Sequence, residues 1–391
     1  MLEFFPTNYV WNLSTNIALL MGGNHGEIDT ICRRLVEVSK AGDDAGTVAF
    51  FNAWCEQADR LVELAQEDLR AGRRLSAGAK YGRAATYYIT AERMQSRHFE
   101  LRRRAYSRML ESFAHYIELA ELNCQRVEIP YQGKSLAGLF VRAERSDDSP
   151  APCIAFFNGL DSTKEMIFGS RIGQELSRRG ISTLMVDQPG VGEALRLNDL
   201  RAVVEAEVWA GACVDALERR PDVDRDFLGI CAWSLGGYFA PRAAAFEKRF
   251  KLCVAWGANF NWGELQKRRA DREGDRPVPH YWEHVQWVWG KESFNEFMAF
   301  APRVTLENCI DKITVPFLVT HGSNDRQIPR EYALAQYERA VNSPKRELKW
   351  FTPREGGVEH VSADNNENAR DYIADWIAET FLEAGARGVR L

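Results

Sequence analysis

The sequence predicts an α/β fold, a mostly parallel central sheet with helices on both faces, preceded by an all-helical unit. Three observations carry this. No convincing strand appears before about Asn123, whereas from Gln125 onward apolar strand-like runs alternate with helical stretches. The apolar run Phe227–Ala232 ends in Trp233-Ser234-Leu235-Gly236-Gly237 and passes into an Ala-rich helical stretch through Ala245. Downstream, two more strand-like runs each end in a loop carrying one chemically useful side chain, first Asp325 and then His360.

The N-terminal part, residues 1–123, reads as helices. Ile28, Ile31, Leu35 and Val38 share one helical face, as do Trp54, Ala58, Leu61, Val62, Ala65 and Leu69. Tyr106, Met109, Phe113, Tyr116, Ile117 and Ala120 continue the pattern. Between them Ser76 reads as the cap of a segment through Met94 that carries Tyr81, Tyr87 and Tyr88. Tyr81 is assigned to packing between helices. Adjacent Tyr87 and Tyr88 are not expected both to point inward, which leaves one to face a neighbouring domain or a substrate.

Residues 124–391 hold the alternating part. Val127–Tyr131 and Ser135–Val141 read as a hairpin joined by Gln132-Gly133-Lys134. The strand Ala151–Phe157 ends in Asn158-Gly159-Leu160-Asp161-Ser162, where Gly159 lets the backbone approach a ligand closely. The N–H of Leu160 is therefore a candidate oxyanion donor. The next strand, from Ile181, ends in Gly190-Val191-Gly192, which lacks the third glycine and the distant acidic residue of a dinucleotide site. No cofactor is expected.

Phe227–Ala245 reads as strand, sharp turn and helix, with small residues two before and two after Ser234 because strand and helix pack closely there. Such a turn lifts the serine oxygen out of the sheet and aims the N–H of Leu235 at a developing oxyanion. A helix start with Ser234 as N-cap is the plainer reading of Ser-Leu-Gly-Gly; the strand before and the helix after favour the turn.

The strand Lys251–Gly257 precedes an insertion over about 262–305. It opens with the charged run Lys267–Arg276, read as a solvated helix or loop, and then carries Tyr281, Trp282, Trp287, Trp289, Phe294, Phe297 and Phe300. That stretch fits either a helical lid or an aromatic-rich dimer contact. His280 and His284 are spaced i, i+4, but no third ligand or glutamate pattern accompanies them, so no metal is expected. Ile313–Gly322 reads as a buried strand running into Asp325, which taken by itself is better read as a turn-former or cap. Glu347–Phe351 is a short strand, and His360 follows in a Gly-rich loop before a final helix, Ala369–Leu382.

A hydrophobic share of 45% allows a sizeable core, and a net charge of −5 excludes a broad basic face, so nucleic acid is not an expected partner. The eight cysteines form no C-x-x-C pair, and Cys153, Cys231 and Cys253 fall in strands, which fits small core residues in a reducing compartment. The first residues show neither an early Lys or Arg nor a long apolar run. The expectation is a soluble, cytoplasmic protein with no membrane partner.

Serine on a turn, then Asp, then His, each after its own strand, is the order in which a nucleophile, an orienting acid and a base occur in one hydrolase architecture. Ser234, Asp325 and His360 are the candidate triad, with Leu235 and Leu160 as oxyanion donors. Tyr87 and Tyr88, with Trp233 and Glu165, are the candidate substrate contacts. The expected substrate is a small carbonyl compound, apolar or aromatic.

With these residues in view, the chain resembles the α/β-hydrolase superfamily over 125–391. More narrowly it is similar to the group that holds 2,6-dihydroxypseudooxynicotine hydrolase, the fermentation–respiration switch protein and fungal polyketide-shortening hydrolases. The resemblance rests on Ala84-Ala85-Thr86-Tyr87-Tyr88, on Asn158–Glu165, on the Ser234 turn and on Glu355–His360. It implies the α/β-hydrolase fold, the Ser234/Asp325/His360 triad, an N-terminal domain capping the active site, and often a homodimer. It also implies cleavage of a carbon–carbon bond in a β-diketone-like or polyketide-type substrate. Ester cleavage and acyl elimination are the alternatives, and a non-catalytic regulatory binding role is the alternative from another class.

Overall fold

The structure, a computed structural model, describes residues 1–145, 147, 149–271 and 276–391. The chain forms two compact units, Met1–Cys124 with Asp275–His284, and Gln125–Gly274 with Val285–Leu391.

The first unit contains α1 (Tyr9–Leu20), α2 (His25–Arg33), α3 (Val36–Ser39), α4 (Thr47–Arg70), α5 (Arg74–Arg93) and α6 (Leu101–Leu119). Asn8 and Asn24 start α1 and α2 by accepting backbone N–H groups with their side chains. Helix α5 begins at Arg74, so Ser76 lies inside it rather than capping it. Because α5 packs against both α4 and α6, it is buried on two sides. Tyr87 and Tyr88 are consequently both buried, which corrects the expectation that the two do not both point inward. Neighbours on a helix point about 100° apart, and a helix flanked on two sides covers both directions.

The segment Asp275–His284, expected within the insertion, belongs to this helical unit. The N–H of His280 donates to Asp44 at 2.8 Å, and its Nε2 lies 3.2 Å from the Thr47 hydroxyl. Glu283 accepts from the Ser96 hydroxyl at 2.9 Å. His280 has a positive φ and precedes the helix that holds His284, so the two histidines do not share a helical face.

The second unit is built on eight strands: β1 (Gln125–Tyr131), β2 (Lys134–Val141), β3 (Ala151–Phe157), β4 (Ser182–Val186), β5 (Val223–Trp233), β6 (Phe250–Trp256), β7 (Phe317–Gly322) and β8 (Arg346–Phe351). Their order is β1-β2-β4-β3-β5-β6-β7-β8; β2 runs antiparallel to β1 and β4, and all other pairs are parallel. This is the α/β-hydrolase sheet. Strand β7 starts after Pro316, later than the apolar run beginning at Ile313 suggests.

The helices of the second part of the chain are α7 (Lys164–Gly169), α8 (Ile172–Arg178), α9 (Gly192–Arg196), α10 (Ala206–Glu218), α11 (Gly236–Phe246), α12 (Trp262–Ala270), α13 (Tyr281–Trp289), α14 (Phe294–Phe300), α15 (Arg330–Arg339) and α16 (Asn366–Glu383). The charged run begins inside α12; its residues 272–275 lie outside the described residues. Aromatic residues of the insertion face inward: Trp262 contacts Trp289 and Phe297, and Trp289 contacts Phe239 on α11. Trp209 then links Phe239 to Phe157 of β3. Trp289 and Phe297 thus extend the core beside the sheet. Among the described residues no helix is long and apolar enough to cross a membrane.

Candidate active site

The C-terminal ends of β5, β7 and β8 carry Ser234, Asp325 and His360. Ser234 follows directly on β5 with φ 58°, a left-handed conformation that costs a non-glycine residue about 1–3 kcal/mol. Its N–H donates to Trp256 O at 2.9 Å, and its carbonyl accepts from Gly237 N at 2.9 Å, so both strand and helix hold it there. A Cβ on Gly236 would stand 2.6 Å from the Ala232 Cβ, and one on Gly237 would stand 1.8 Å from Gly257 O. Only small residues fit the turn, as the sequence spacing implies.

Ser234 Oγ lies 2.8 Å from His360 Nε2, and His360 Nδ1 lies 2.9 and 3.1 Å from the two oxygens of Asp325. A carboxylate only accepts, so Nδ1 carries the proton and Nε2 accepts from the serine hydroxyl. Asp325 is buried, which alone would raise its pKa. The charge and hydrogen bond of His360, the nearby His321 and a backbone N–H outweigh burial and hold the carboxyl below the ordinary range. Asp325 Oδ1 also accepts from Gln327 N at 2.7 Å and Ile328 N at 3.0 Å, which fixes the carboxylate plane.

Behind Asp325, His321 at the end of β7 is 2% exposed, and burial lowers its pKa despite the Asp325 charge. Its Nε2–H donates to Ile328 O at 3.1 Å, and Nδ1 lies 3.4 Å from Ala258 N, placed to accept that N–H. The His360 loop is braced by Asp364, whose carboxylate accepts the N–H groups of Gly357, Val358 and Glu359 at 2.9, 3.2 and 2.8 Å.

The loop after β3 meets the serine turn directly. A Cβ on Gly159 would stand 2.8 Å from the Ser234 Cβ and 3.2 Å from its Oγ. Asn158 is tied to the end of β4 through the Gln188 side chain, which accepts Asn158 N–H at 3.0 Å and donates to Asn158 O at 2.9 Å. Just beyond the loop, the fully buried Lys164 ammonium contacts Asp187 at 3.0 Å and Glu165 and Glu193 at 2.6 Å each. Burial opposes the Lys164 charge, but the three carboxylates outweigh it and raise its pKa. Glu165 is raised instead, because its own burial exceeds its share of that one ammonium. Glu193 is also buried, yet its bonds to Arg126 and Lys164 bring it to about 2.

The structure thus brings Ser234, Asp325, His360, Leu235 and the Gly159–Leu160 loop together. Trp233 adjoins the serine, with its indole N–H on Ser162 at 2.9 Å. Glu165 is buried against Lys164. Tyr87 and Tyr88 lie in the helical unit: Tyr87 OH donates to Glu27 at 2.6 Å and accepts from Asn24 N at 2.9 Å. Tyr88 OH donates to Asp59 at 2.5 Å and lines a cavity of about 630 Å³ formed by α4, α5 and α6. Sequence reasoning assigns no role to His321, Ser162, Lys164 or Asp364. His321 lies on β7, four residues before Asp325, and that proximity is its one signal in the sequence; the others find their partners only in three dimensions.

The family model described as Esterase FrsA-like matches residues 49–265, and that of the prolyl oligopeptidase family matches residues 210–383. The chain is 24% identical over 345 residues to the 2,6-dihydropseudooxynicotine hydrolase of Paenarthrobacter nicotinovorans, covering 88% of this chain and 87% of that protein. It is 31% identical over 227 residues to the alpha/beta hydrolase gkaG of Penicillium citrinum, covering 56% of this chain and about half (53%) of that relative. The crystal structure of the 2,6-dihydroxy-pseudo-oxynicotine hydrolase superposes with a TM-score of 0.76 at 22% identity, over 96% of this chain and 98% of that one. At that identity the likeness is one of fold.

Proposed function

The chain belongs to the esterase FrsA-like family, and from that premise we propose that it is a serine-nucleophile hydrolase of carbonyl compounds. The observation that carries the reading is the unbroken hydrogen-bond chain from Ser234 through His360 to Asp325. In the proposed reaction Ser234 Oγ attacks the substrate carbonyl carbon while His360 Nε2 takes its proton. Asp325 holds the imidazole in the tautomer that can accept and stabilises the imidazolium that forms. The oxyanion rests on the N–H groups of Leu235 and Leu160. His360 then returns the proton to the leaving group, and water, deprotonated by the same imidazole, hydrolyses the acyl-serine.

Cleavage of a carbon–carbon bond uses the same apparatus when the leaving group is an enolate that His360 protonates. The relative named a 2,6-dihydropseudooxynicotine hydrolase supports a small, aromatic carbonyl substrate, and the resemblance noted from the sequence extends this to β-diketone-like or polyketide-type compounds. Product mass analysis on β-diketones, aryl esters and β-acyloxy carbonyl compounds separates carbon–carbon hydrolysis, ester hydrolysis and elimination. Light scattering at assay concentrations tests the homodimer that the resemblance implies.

The deciding experiment for the class is labelling with a fluorophosphonate probe. Labelling of the wild-type protein that is abolished in Ser234→Ala is the expected result. Labelling that persists in that variant defeats the serine assignment, and a wild type that never labels turns attention to a binding role.

A further inference from the structure

We propose that Trp233 is a positioning residue for this reaction: its indole N–H, acting through the Ser162 hydroxyl, sets the spacing between the Ser234 turn and the Asn158–Leu160 loop. The inference rests on the hydrolase reading above and deepens it. That spacing is the width of the oxyanion hole, since Leu235 follows the nucleophile on one side and Leu160 lies on the other.

The geometry leaves little slack. A serine hydroxyl donates once and accepts twice, and Ser162 uses all three capacities. It donates to Asn158 Oδ1 at 2.8 Å and accepts from Gly159 N at 3.1 Å and from Trp233 Nε1 at 2.9 Å. The Gly159 N–H is thereby turned into its own loop. On its far side the loop is fastened to β4, through Gln188 and through Asn158 Nδ2, which donates to Val186 O at 2.8 Å. On the near side Gly159 and the Asn158 carbonyl approach Ser234 and Gly236 so closely that neither glycine could carry a Cβ. Close approach by itself repels. The Trp233–Ser162 bond is a directional attraction that holds the loop against the turn.

The indole is held in place to serve this bond. It meets Phe156 edge-on at 5.6 Å and Trp256 at 6.0 Å, and those two rings also touch each other at 6.5 Å. Phe156 lies on β3, which leads into the loop, and Trp256 accepts the Ser234 N–H with its carbonyl. Three rings from three adjacent strands therefore fix the donor that sits one residue before the nucleophile. A phenylalanine at 233 would keep most of that packing and lose the donor.

Oxyanion contacts act in the transition state, so a loosened loop lowers kcat more than it raises KM. Loss of a whole oxyanion donor lowers turnover about 10²–10³-fold, and misplacement of one donor is a fraction of that loss. With p-nitrophenyl butyrate as the probe, Trp233→Phe is expected to lower kcat about 10–100-fold with KM changed less than about threefold. The fluorophosphonate labelling rate should fall in parallel, because that probe also develops charge on an oxygen in the hole. Ser162→Ala breaks the same bond from the other end. The double variant should therefore lose about as much as the worse single one, not the product of the two.

Thermal midpoints are measured alongside, because a change in packing alone would lower the midpoint without separating kcat from KM. Wild-type kcat and labelling rate in Trp233→Phe, or losses that multiply in the double variant, overturn the clamp. If labelling is lost in Ser234→Ala while Trp233→Phe labels normally, the clamp fails and the hydrolase reading stands. If labelling survives Ser234→Ala, the reading beneath the clamp fails.

Discussion

Replacing Asp325 by asparagine is the sharpest test of the proposed triad, because the structure dictates how the amide must sit. Asp325 Oδ1 is held by two backbone donors, Gln327 N and Ile328 N, at 2.7 and 3.0 Å. In Asp325→Asn the carbonyl oxygen has to stay with those donors, since turning the amide would set N–H against N–H. The amide nitrogen then occupies the place of Oδ2, 2.9 Å from His360 Nδ1. It can only donate there, so Nδ1 becomes the acceptor and the ring proton moves to Nε2, facing Ser234 Oγ 2.8 Å away. Nε2–H then donates to Ser234 Oγ, and the serine has no base.

The wrong-tautomer effect in Ser-His-Asp enzymes is about 10⁴ in turnover, or about 5 kcal/mol of barrier. The same magnitude is expected here, read as kcat/KM on p-nitrophenyl butyrate and as the fluorophosphonate labelling rate. A second readout is independent of catalysis. The Asp325 carboxyl is held below its ordinary value in the folded protein. Its contribution to stability is therefore present above about pH 4 and is lost as pH falls through the lower folded value. The acid limb of the wild-type stability curve should be steeper than that of Asp325→Asn. A kcat/KM loss smaller than about tenfold would refute the assignment of Asp325 and the tautomer argument with it.

Ser234→Ala and His360→Ala should each lower turnover at least about 10³-fold, and their combination little further, because the members act as a unit; wild-type rates in either variant end the assignment. Gly237→Ala drives a methyl into the Gly257 carbonyl, since its Cβ would stand 1.8 Å from that oxygen, and should yield insoluble or strongly destabilised protein; an unchanged thermal midpoint contradicts the packing of the turn. Lys164→Met leaves three buried carboxylates without their shared ammonium and should destabilise by about 3–5 kcal/mol in urea unfolding. Glu165→Gln should act in the opposite sense: the Glu165 carboxyl is raised by burial, so wild-type stability falls as pH rises above about 4, and the variant should gain on the wild type over that range. A protein starting at Cys124 lacks Asp44, Thr47 and Ser96, the partners of 275–284, and should aggregate; a soluble, monodisperse product argues against that segment belonging to the helical unit.

The fold was legible because its signals are local. A parallel strand buried on both faces is a short apolar run, and the run Ala151–Phe157 is fully buried as β3. The serine turn was legible for the same reason, since Ala232, Gly236 and Gly237 are the residues whose small size the turn enforces. Asp325 and His360 could be placed because the ends of strands are where such side chains emerge. What the sequence does not disclose is pairing at a distance. Nothing in the sequence around Lys164 shows that the ends of β4 and α9 bring Asp187 and Glu193 to it, 23 and 29 residues on. Tyr87 and Tyr88 look as if they cannot both point inward because periodicity describes a helix with a single buried face, and α5 has two.

The same division explains why the insertion resisted reading. Its aromatic content suggests a surface in search of a partner, yet Trp289 and Phe297 find theirs in Phe239 and Trp262. A stretch a few residues earlier is recruited into the helical unit by hydrogen bonds to Asp44 and Ser96. The charged and polar contacts that direct this routing carry no periodicity and no fixed spacing. The proposed catalytic side chains sit at the ends of locally encoded elements, while the proposed spacing of the turn and the loop rests on a contact between Trp233 and Ser162, 71 residues apart in the chain. An active site of this kind can be recognised from local patterns, but its tuning resides in long-range contacts, and there variants such as Trp233→Phe should alter rate while leaving the fold standing.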